Sequence, residues 1–341
     1  MVAKTSKIRI GINGMGRIGR QVFRLAFERD TIEVVCANDV GDQATTAHLL
    51  KFDSVHGKWN ADIQIKDKNL VVNGKTVAFY STRNPLEIPW KKYNVDVVLE
   101  CTGAFTEKES ASQHISSGAK KVIISAPSKS KDVPTFVLGV NEEKYDPKNH
   151  SVVSLASCTT NSLAPVLKVI QDVYGIEKGF ITTIHAYTND QRILDLHHTD
   201  YRRARAAAIN LIPTTTGAAK AIGEVIPELA GKLHGHAVRA PVPTGSITDI
   251  VVITKTPPKD AAELNAALKK SANGKMKGIM EYSEEDLVSS DIVNNPNSAI
   301  VDSKLTLVMG NLVKVYSWYD NEWGYSNRMV DFVEYIAKKG L

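Results

Sequence analysis

The sequence predicts a doubly wound α/β domain followed by an α+β domain. Strand and helix signals alternate through residues 1–150, as they do in doubly wound sheets. After Cys158 the pattern changes to longer β segments with fewer helices between them. The chain also has 341 residues, more than one domain usually holds, so two domains are expected.

The first elements form a strand, a helix and a second strand. "KIRIGI" predicts the first strand, and "TIEVVCAN" predicts the second. Between them, "RIGRQVFRLAFE" has helical apolar spacing at Ile18, Val22, Leu25 and Ala26. This order is the opening of a βαβ unit.

Further strands complete the first domain. "VDVVLECTG" and "KKVIISAP" are short continuous apolar runs, which are typical of parallel strands covered on both faces. The segment "DIQIKDKNLVVNGKTVAFY" predicts an antiparallel ribbon with a hairpin turn at Asn73-Gly74.

The second domain begins with a helix. "NSLAPVLKVIQDVYG" has apolar residues at helical spacing, Pro165 is expected in its first turn, and Gly175 is expected to end it. "GFITTIHAYT", "SITDIVVITKT" and "KLTLVMGNLVKVYSWYD" predict long β segments. "SNRMVDFVEYIAKKGL" predicts a closing amphipathic helix.

Composition excludes several functional classes. The formal net charge is +5, with no long basic run, so nucleic acid is not expected as a primary partner. No apolar run approaches the roughly 20 residues that span a bilayer. The first residues lack an apolar signal core, so a cytoplasmic location is expected.

The cysteines and the paired histidines do not indicate a metal site. Cys36, Cys101 and Cys158 lie far apart without a C-x-x-C pair, and Cys36 and Cys101 are expected in the core. His197 and His198 have no further spaced ligands.

A glycine-rich turn predicts dinucleotide binding. Gly14, Gly16 and Gly19 form a G-x-G-x-x-G between the first strand and the first helix, and Asp39 ends the second strand. Glycines allow close approach of a pyrophosphate, and the helix start near Arg17 and Ile18 offers N–H groups and a positive dipole end. A carboxylate at Asp39 accepts hydrogen bonds from ribose hydroxyls and repels a 2′-phosphate, which favours NAD. The alternative is an ordinary turn with a surface aspartate.

Cys158 and His185 are candidates for thiol catalysis. A nucleophilic cysteine needs a lowered pKa, which a helix N-terminus or a neighbouring imidazole can provide. Cys158 stands just before a predicted helix, and His185 stands at the end of an apolar strand. A structural cysteine and a merely hydrogen-bonded histidine remain the alternatives from these residues alone.

Five blocks carry a family resemblance. "GINGMGRIGR", "ASCTTNS", "TTIHAYTND", "RRARAAAINLIPTTTGAAKA" and "WYDNEWGYSNR" together resemble the phosphorylating, NAD-dependent glyceraldehyde-3-phosphate dehydrogenases, from about residue 7 to the C-terminus. The resemblance implies oxidation of D-glyceraldehyde 3-phosphate to 1,3-bisphosphoglycerate with NAD⁺ and inorganic phosphate, the glycolytic reaction.

The same resemblance implies an architecture. It consists of a Rossmann-type NAD-binding domain at 1–157, a mixed, largely antiparallel catalytic domain at 158–322, and a C-terminal helix at 323–341 that returns to the first domain. It also implies a homotetramer, in which a loop from Tyr187 to about Leu211 lines the cofactor site of a neighbouring subunit.

The resemblance also implies roles for individual residues. Cys158 is implied as the nucleophile and His185 as the base. The implied cofactor contacts are Gly14, Gly16, Arg17, Ile18, Asp39, Arg83, Ser125 and Asn321, with Asn321 on the nicotinamide carboxamide. The implied site for inorganic phosphate comprises Ser157, Thr159, Arg203, Thr216 and Gly217. Thr188 and Arg239 are implied to hold the C3 phosphate of the substrate.

Two departures from the family pattern keep alternatives open. Ser162 replaces a second cysteine of many members, with little expected effect. His197 replaces a common proline near the adenosine ribose, which leaves an NADP-preferring isoform as an alternative. Erythrose-4-phosphate dehydrogenase shares the Cys–His chemistry, and a binding role on a retired enzyme scaffold is a further alternative.

Overall fold

The computed structural model describes residues 7–341, which divide into two compact units. The first unit takes the chain up to Phe136, then Glu143–Ala156 and Ser326–Leu341. The second takes Val137–Glu142 and Ser157–Tyr325. The sequence-based division at residue 157 therefore misses Val137–Glu142, which belongs to the second unit because Val137 and Val140 join that unit's apolar core.

The first unit contains a sheet of eight strands. Its elements, in chain order, are β1 (Ile8–Asn13), α1 (Arg17–Phe27), β2 (Ile32–Asn38), α2 (Gln43–Lys51), β3 (Phe52–Asp53), β4 (Gly57–Lys58), β5 (Ile63–Lys66), β6 (Asn69–Val72), β7 (Lys75–Tyr80), β8 (Val97–Glu100), α3 (Lys108–Ser116), β9 (Lys121–Ile124) and β10 (Val152–Ser154). The strand order in the sheet is β10-β9-β8-β1-β2-β7-β6-β5, and β3 pairs only with β4.

This sheet confirms the doubly wound class. The six strands from β10 to β7 are parallel, whereas β7, β6 and β5 form the predicted antiparallel ribbon. Asn73 and Gly74 both have positive φ, 47° and 76°, as the two-residue turn requires. Strand β2 lies on one side of β1 and β8 lies on the other, so the strand order reverses its direction at β1. In doubly wound sheets, ligands bind at such a point.

The second unit is built on a mixed sheet of seven strands. Its elements are α4 (Cys158–Tyr174), β11 (Ile176–Ala186), β12 (Ile212–Thr215), α5 (Ala218–Val225), β13 (Leu233–Ala240), β14 (Ser246–Thr254), α6 (Ala261–Asn273), β15 (Met280–Ser283), β16 (Ala299–Met309) and β17 (Leu312–Tyr319). The strand order is β12-β13-β11-β14-β17-β16-β15, with parallel pairs only at β11–β13 and β15–β16.

Helix α4 begins earlier than the sequence predicted. Ser157 caps it by accepting a hydrogen bond from the N–H of Thr160, so the first helical residue is Cys158. Pro165 consequently lies in the helix interior rather than in the first turn, and that prediction was wrong. Gly175 ends the helix at φ 66°, as expected.

The last helix, α7 (Trp323–Lys339), ends the described chain. From Ser326 onward it belongs to the first unit, where Phe332 stacks on Phe136 at 5.6 Å between ring centroids. Within residues 7–341, no helix combines the length and apolarity that crossing a membrane requires.

Candidate active site

A cleft of about 370 Å³ lies at the carboxyl ends of β1, β2 and β8 in the first unit. Four of the predicted cofactor contacts line it: Gly14, Gly16, Asp39 and Arg83. Cys101 lines it too, so its assignment to the core was wrong, whereas Cys36 is fully buried as predicted. Cys101 follows the last residue of β8, where an apolar run opens onto the strand ends.

The three glycines of the turn serve different needs. Gly14 has φ +93°, and a Cβ there would lie 2.8 Å from the backbone nitrogen of Thr102. A Cβ on Gly19 would lie 1.8 Å from the carbonyl oxygen of Gly14, so the helix can approach the turn only without a side chain. A Cβ on Gly16 would meet no atom within 4 Å, so this position faces open space. Packing therefore requires Gly14 and Gly19, while Gly16 keeps the cleft open.

Asp39 is fixed by the backbone of the cleft. Its two carboxylate oxygens accept hydrogen bonds from the N–H groups of Met15, at 2.5 Å, and Gly41, at 2.8 Å. The acidic group is thereby held at the end of β2, next to the glycine-rich turn.

Arg17 and Ile18 stand in the first turn of α1. The guanidinium of Arg17 forms an ion pair with Asp53 at 2.5 Å. Although burial opposes it, hydrogen bonds from the backbone of His56 and from Arg17 lower the pKa of Asp53 to about 2. The side chain of Arg17 is thus paired with the carboxylate of Asp53. The predicted contact of Arg17 with the cofactor therefore rests on its location in the first turn of α1.

A buried polar network beneath the cleft escaped the sequence analysis. The carboxylate of Glu100 accepts hydrogen bonds from Asn13 at 2.5 Å and from the N–H and hydroxyl of Thr102. His114 contacts the same carboxylate at 3.0 Å, and its Nδ1 accepts from Trp90. Polar residues that end apolar runs, as in "IRIGIN" and "VVLE", were the available signal.

The predicted Ser125 lies just after β9, half-buried, and it donates its N–H to the carbonyl of Glu100 at 2.9 Å. This places Ser125 beside the strands that border the cleft, although it is not among the cleft-lining residues.

In the second unit, Cys158 and His185 lie together. Cys158 is the first residue of α4, and His185 is the next-to-last residue of β11. The distance from Cys158 Sγ to His185 Nε2 is 3.5 Å. Both arrangements expected to activate the thiol, a helix start and an imidazole, are therefore present in the geometry.

Burial and neighbouring charges nevertheless shift the pKa values of both groups. Burial raises the pKa of the Cys158 thiol, and the positive charge of Arg239 and hydrogen bonding at Thr159 oppose that rise. The Cys158 side chain is only half-buried, so solvent screening reduces the rise in its pKa. Burial and the charge of Arg239 lower the pKa of His185 to about 3. The pKa of the Cys158 thiol is thus raised by burial and not lowered as expected, although the charge of Arg239 acts in the expected direction.

Arg239 stands beside His185 because β11 and β13 pair in parallel with these two residues in register. Its Nη1 lies 2.5 Å from His185 Nδ1 and 3.0 Å from the carbonyl oxygen of Ala186. No acceptor among residues 7–341 reaches its buried Nε.

Arg203 is held by two carboxylates. Its Nη1 lies 2.6 Å from Asp190, and its Nε lies 2.9 Å from the hydroxyl of Thr214 and 3.6 Å from Asp200. The positive charge of Arg203 also lowers the pKa of His185, so Arg203 acts electrostatically on the Cys–His pair.

The remaining predicted phosphate contacts occupy loops and helix starts. Thr216 accepts a hydrogen bond from the N–H of Ala218, and Gly217 is the residue before α5. Thr188 contacts Gln191 through its backbone just after β11.

Tyr319 is a site residue that the sequence analysis missed. Its hydroxyl hydrogen-bonds to Thr159 at 2.9 Å and to Thr183 at 2.8 Å. Its ring meets the imidazole of His185 at 74°, with 6.0 Å between ring centroids. Tyr319 therefore supports His185 and engages the predicted phosphate contact Thr159. Its place in "WYDNEWGYSNR" was the only signal in the sequence.

Asn321 is buried and firmly oriented. Its Oδ1 accepts hydrogen bonds from Ser246 at 2.8 Å and Thr244 at 3.3 Å. His197 is exposed, and its carbonyl accepts a hydrogen bond from Arg192. Among the residues described, no cluster of three or more metal-ligating side chains occurs.

A nucleotide cleft in a doubly wound unit and a thiol–imidazole pair in a mixed-sheet unit define the class of nicotinamide-dependent dehydrogenases. Comparison with known proteins makes the class specific. Residues 8–108 match the profile "Glyceraldehyde 3-phosphate dehydrogenase, NAD binding domain", and residues 157–321 match "Glyceraldehyde 3-phosphate dehydrogenase, C-terminal domain". The chain belongs to the glyceraldehyde-3-phosphate dehydrogenase family.

Similar proteins match nearly the whole chain. It is 56% identical over 335 residues to glyceraldehyde-3-phosphate dehydrogenase 1 of Bacillus subtilis (strain 168), covering 98% of this chain and 99% of the relative. The enzyme of Priestia megaterium is 56% identical with the same coverage, and that of Geobacillus stearothermophilus is 55% identical.

Proposed function

We propose that this protein catalyses the NAD⁺-dependent oxidation and phosphorylation of D-glyceraldehyde 3-phosphate to 1,3-bisphosphoglycerate. The observation that carries the proposal is the distance of 3.5 Å between Cys158 Sγ and His185 Nε2, in a chain 56% identical to named dehydrogenases of this substrate. A thiol and a base in contact are what covalent oxidation of an aldehyde requires.

The first unit fits NAD. The space in front of Gly16 admits a pyrophosphate, and Asp39 offers carboxylate oxygens at the end of β2. Bound NAD⁺ supplies the hydride acceptor of the reaction. The residues proposed to hold it are Gly14, Gly16, Arg17, Ile18, Asp39, Arg83, Ser125 and Asn321.

In the first half of the reaction, the sulfur of Cys158 adds to the aldehyde carbon and forms a hemithioacetal. Arg239 and Thr188 bind the C3 phosphate of the substrate, and the unpartnered Nε of Arg239 supports this assignment. His185 accepts the proton of the hemithioacetal hydroxyl as the hydride departs, and help of this kind is typically worth about 10²–10⁴-fold in rate. The product is a thioester on Cys158.

In the second half, an oxygen of inorganic phosphate attacks the thioester carbon. A C–O bond forms as the C–S bond breaks, Cys158 leaves as the thiolate, and the product is 1,3-bisphosphoglycerate. The residues proposed to bind it are Ser157, Thr159, Arg203, Thr216 and Gly217. Arg203 already contacts two carboxylates, so phosphate binding exchanges part of these contacts for phosphate oxygens. Thr159 likewise shares its hydroxyl between Tyr319 and the anion.

We also propose that the protein assembles as a homotetramer and is located in the cytoplasm. The loop between Tyr187 and about Leu211 exposes large apolar side chains, among them Ile193, at 87% exposure, and Leu194, at 74%. Such a surface supports burial against another subunit. The proposal also keeps the predicted domains at 1–157, 158–322 and 323–341, except that Val137–Glu142 is assigned to the second unit.

Absorbance of reduced nicotinamide tests the function directly. The protein is given glyceraldehyde 3-phosphate with NAD⁺ or NADP⁺, with and without inorganic phosphate. The proposal predicts rapid, phosphate-dependent reduction of NAD⁺. Preference for NADP⁺ would direct attention to His197. Turnover without phosphate, or turnover only with erythrose 4-phosphate, would contradict the proposal.

A further inference from the structure

A chain of hydrogen bonds runs along the carboxyl edge of four neighbouring strands in the first unit. These strands are β8, β1, β2 and β7, in that order across the sheet. The first three end in buried polar residues, namely Glu100, Asn13 and Asn38. Asn13 donates from Nδ2 to Glu100 at 2.5 Å, and Asn38 donates from Nδ2 to Asn13 at 2.8 Å. Asn38 also pairs with the backbone of Thr82, just after β7.

The backbone of Thr82 fixes the direction of this chain. A backbone N–H can only donate, so the Oδ1 of Asn38 must accept from Thr82, at 3.1 Å. The Nδ2 of Asn38 therefore donates to the Oδ1 of Asn13. The Nδ2 of Asn13 in turn donates to the carboxylate of Glu100. Both side-chain amides are thus oriented by contacts in which each group has one possible role.

Trp90 fixes the histidine on the other side of Glu100. An indole N–H only donates, and that of Trp90 lies 3.0 Å from the Nδ1 of His114. Among the residues described, this Nδ1 has no other hydrogen-bond partner. Nδ1 therefore accepts, and Nε2 carries the proton that it donates to Glu100 at 3.0 Å. The Nδ2 of Asn13, 3.4 Å from the same Nε2, donates to the same carboxylate oxygen.

Thr102 provides two further donors for Glu100. Its N–H donates to Oε1 at 2.8 Å, and its hydroxyl donates to the same oxygen. The hydroxyl accepts from the N–H of Ala104 at 3.0 Å, which leaves its own proton for Glu100. A carboxyl group that accepts four hydrogen bonds is ionised, because a protonated one would need an acceptor of its own. Within residues 7–341, the only ion-pair contact of this buried carboxylate is with His114.

The partners of this charge form part of the wall of the nucleotide cleft. The cleft-lining residues in the network are Asn13, Asn38, Thr82 and Thr102. Thr102 also lies against the glycine-rich turn, because a Cβ on Gly14 would lie 2.8 Å from its backbone nitrogen. One buried carboxylate thus orients polar groups at four strand ends. A site that is ordered in advance binds its ligand more tightly than one that the ligand must order.

We propose that Glu100 and His114 are positioning residues for NAD. The ionised carboxylate of Glu100, oriented by His114, fixes the polar wall of the cleft before the cofactor binds. Neither residue lines the cleft itself, so both act through Asn13 and Thr102. This inference concerns cofactor affinity and holds for any aldehyde that the protein oxidises.

Calorimetric titration with NAD⁺ measures the effect of the charge. Glu100→Gln keeps the size of the side chain but offers one acceptor oxygen, so two of the four donors lose their acceptor. The dissociation constant should rise about tenfold, the effect of one lost hydrogen bond to a charged group.

Asp96→Asn is the matched control. This carboxylate lies just before β8, at the opposite end of the strand from Glu100, and accepts a hydrogen bond from the N–H of Arg9 at 2.9 Å. Its replacement should leave the dissociation constant for NAD⁺ within about twofold. An equal rise in both variants, or no rise in Glu100→Gln, overturns the proposal.

Two substitutions of His114 separate positioning from packing. His114→Gln keeps an N–H that can donate to Glu100 in place of Nε2, whereas His114→Leu fills the space without a donor. The dissociation constant for NAD⁺ should stay within about threefold in His114→Gln and rise about tenfold in His114→Leu. An equal rise in both variants, or a larger one in His114→Gln, contradicts the positioning role.

A further measurement requires no variant. Neutron diffraction from crystals of the deuterated protein locates the hydrogen positions directly. The proposal predicts deuterium on the Nε2 of His114, and none on its Nδ1 or on either carboxylate oxygen of Glu100. Deuterium on Glu100 or on Nδ1 would overturn the charged arrangement on which the proposal rests.

Discussion

Acidification should destabilise the protein through His185. This imidazole is buried and beside Arg239, and its pKa falls from 6.5 to about 3. Below pH 6.5 the unfolded chain binds a proton that the folded chain cannot bind, so stability is lost as the pH falls from 6.5 toward 3. One pKa unit corresponds to about 1.4 kcal/mol, so at about pH 5 the loss from this single group is about 2 kcal/mol.

Equilibrium unfolding in urea measures this loss. The free energy of unfolding is determined at about pH 7.5 and about pH 5, at one chain concentration because assembly also contributes to stability. The unsubstituted protein should lose about 2 kcal/mol more than His185→Asn between the two conditions. His236→Asn removes an exposed histidine from β13 and should keep the full loss. An equal loss in the unsubstituted protein and His185→Asn would refute the reasoning.

Further substitutions test packing around the two halves of the site. Gly19→Ala forces a Cβ to within 1.8 Å of a carbonyl oxygen. It should therefore lower the free energy of unfolding, measured by heating, by about 1–3 kcal/mol. A melting temperature equal to that of the unsubstituted protein would contradict this contact. Gly16→Ala meets open space, so the free energy of unfolding should change by less than about 0.5 kcal/mol. Its dissociation constant for NAD⁺, measured by titration, should rise by about tenfold or more, because the methyl group occupies the space proposed for the pyrophosphate. Tyr319→Phe leaves the hydroxyls of Thr159 and Thr183 without their shared partner. The free energy of unfolding in urea should fall by about 1–3 kcal/mol. A loss below about 0.5 kcal/mol would show that these hydrogen bonds do not stabilise the site.

Local features of the fold could be predicted because their signals lie in neighbouring residues. Apolar runs and turn residues predicted β1, β2, β8, β9 and the ribbon with Asn73-Gly74. The start of α4 was misjudged because Ser157 acts as a cap only in combination with the backbone of Thr160. Val137–Glu142 was misassigned because its two valines pack against residues distant in the chain.

The site was only partly predictable for the same reason. Cys158 and His185 could be named from their positions in local motifs. The contact of Arg239 with His185 depends on the register of two strands more than 50 residues apart, which no local pattern specifies. The same holds for Tyr319, whose partners Thr159 and Thr183 come from a helix and from another strand. The raised thiol pKa likewise results from burial, which depends on the complete fold.

Mass spectrometry of the protein after a single turnover tests the central claim most directly. The protein is mixed with glyceraldehyde 3-phosphate and NAD⁺ without inorganic phosphate, quenched in acid and digested. The account predicts a phosphoglyceroyl thioester on the peptide that contains Cys158, its disappearance when inorganic phosphate is added before the quench, and no adduct in Cys158→Ser. NADH formation with no adduct on Cys158, or an adduct on Cys101 instead, would contradict the account.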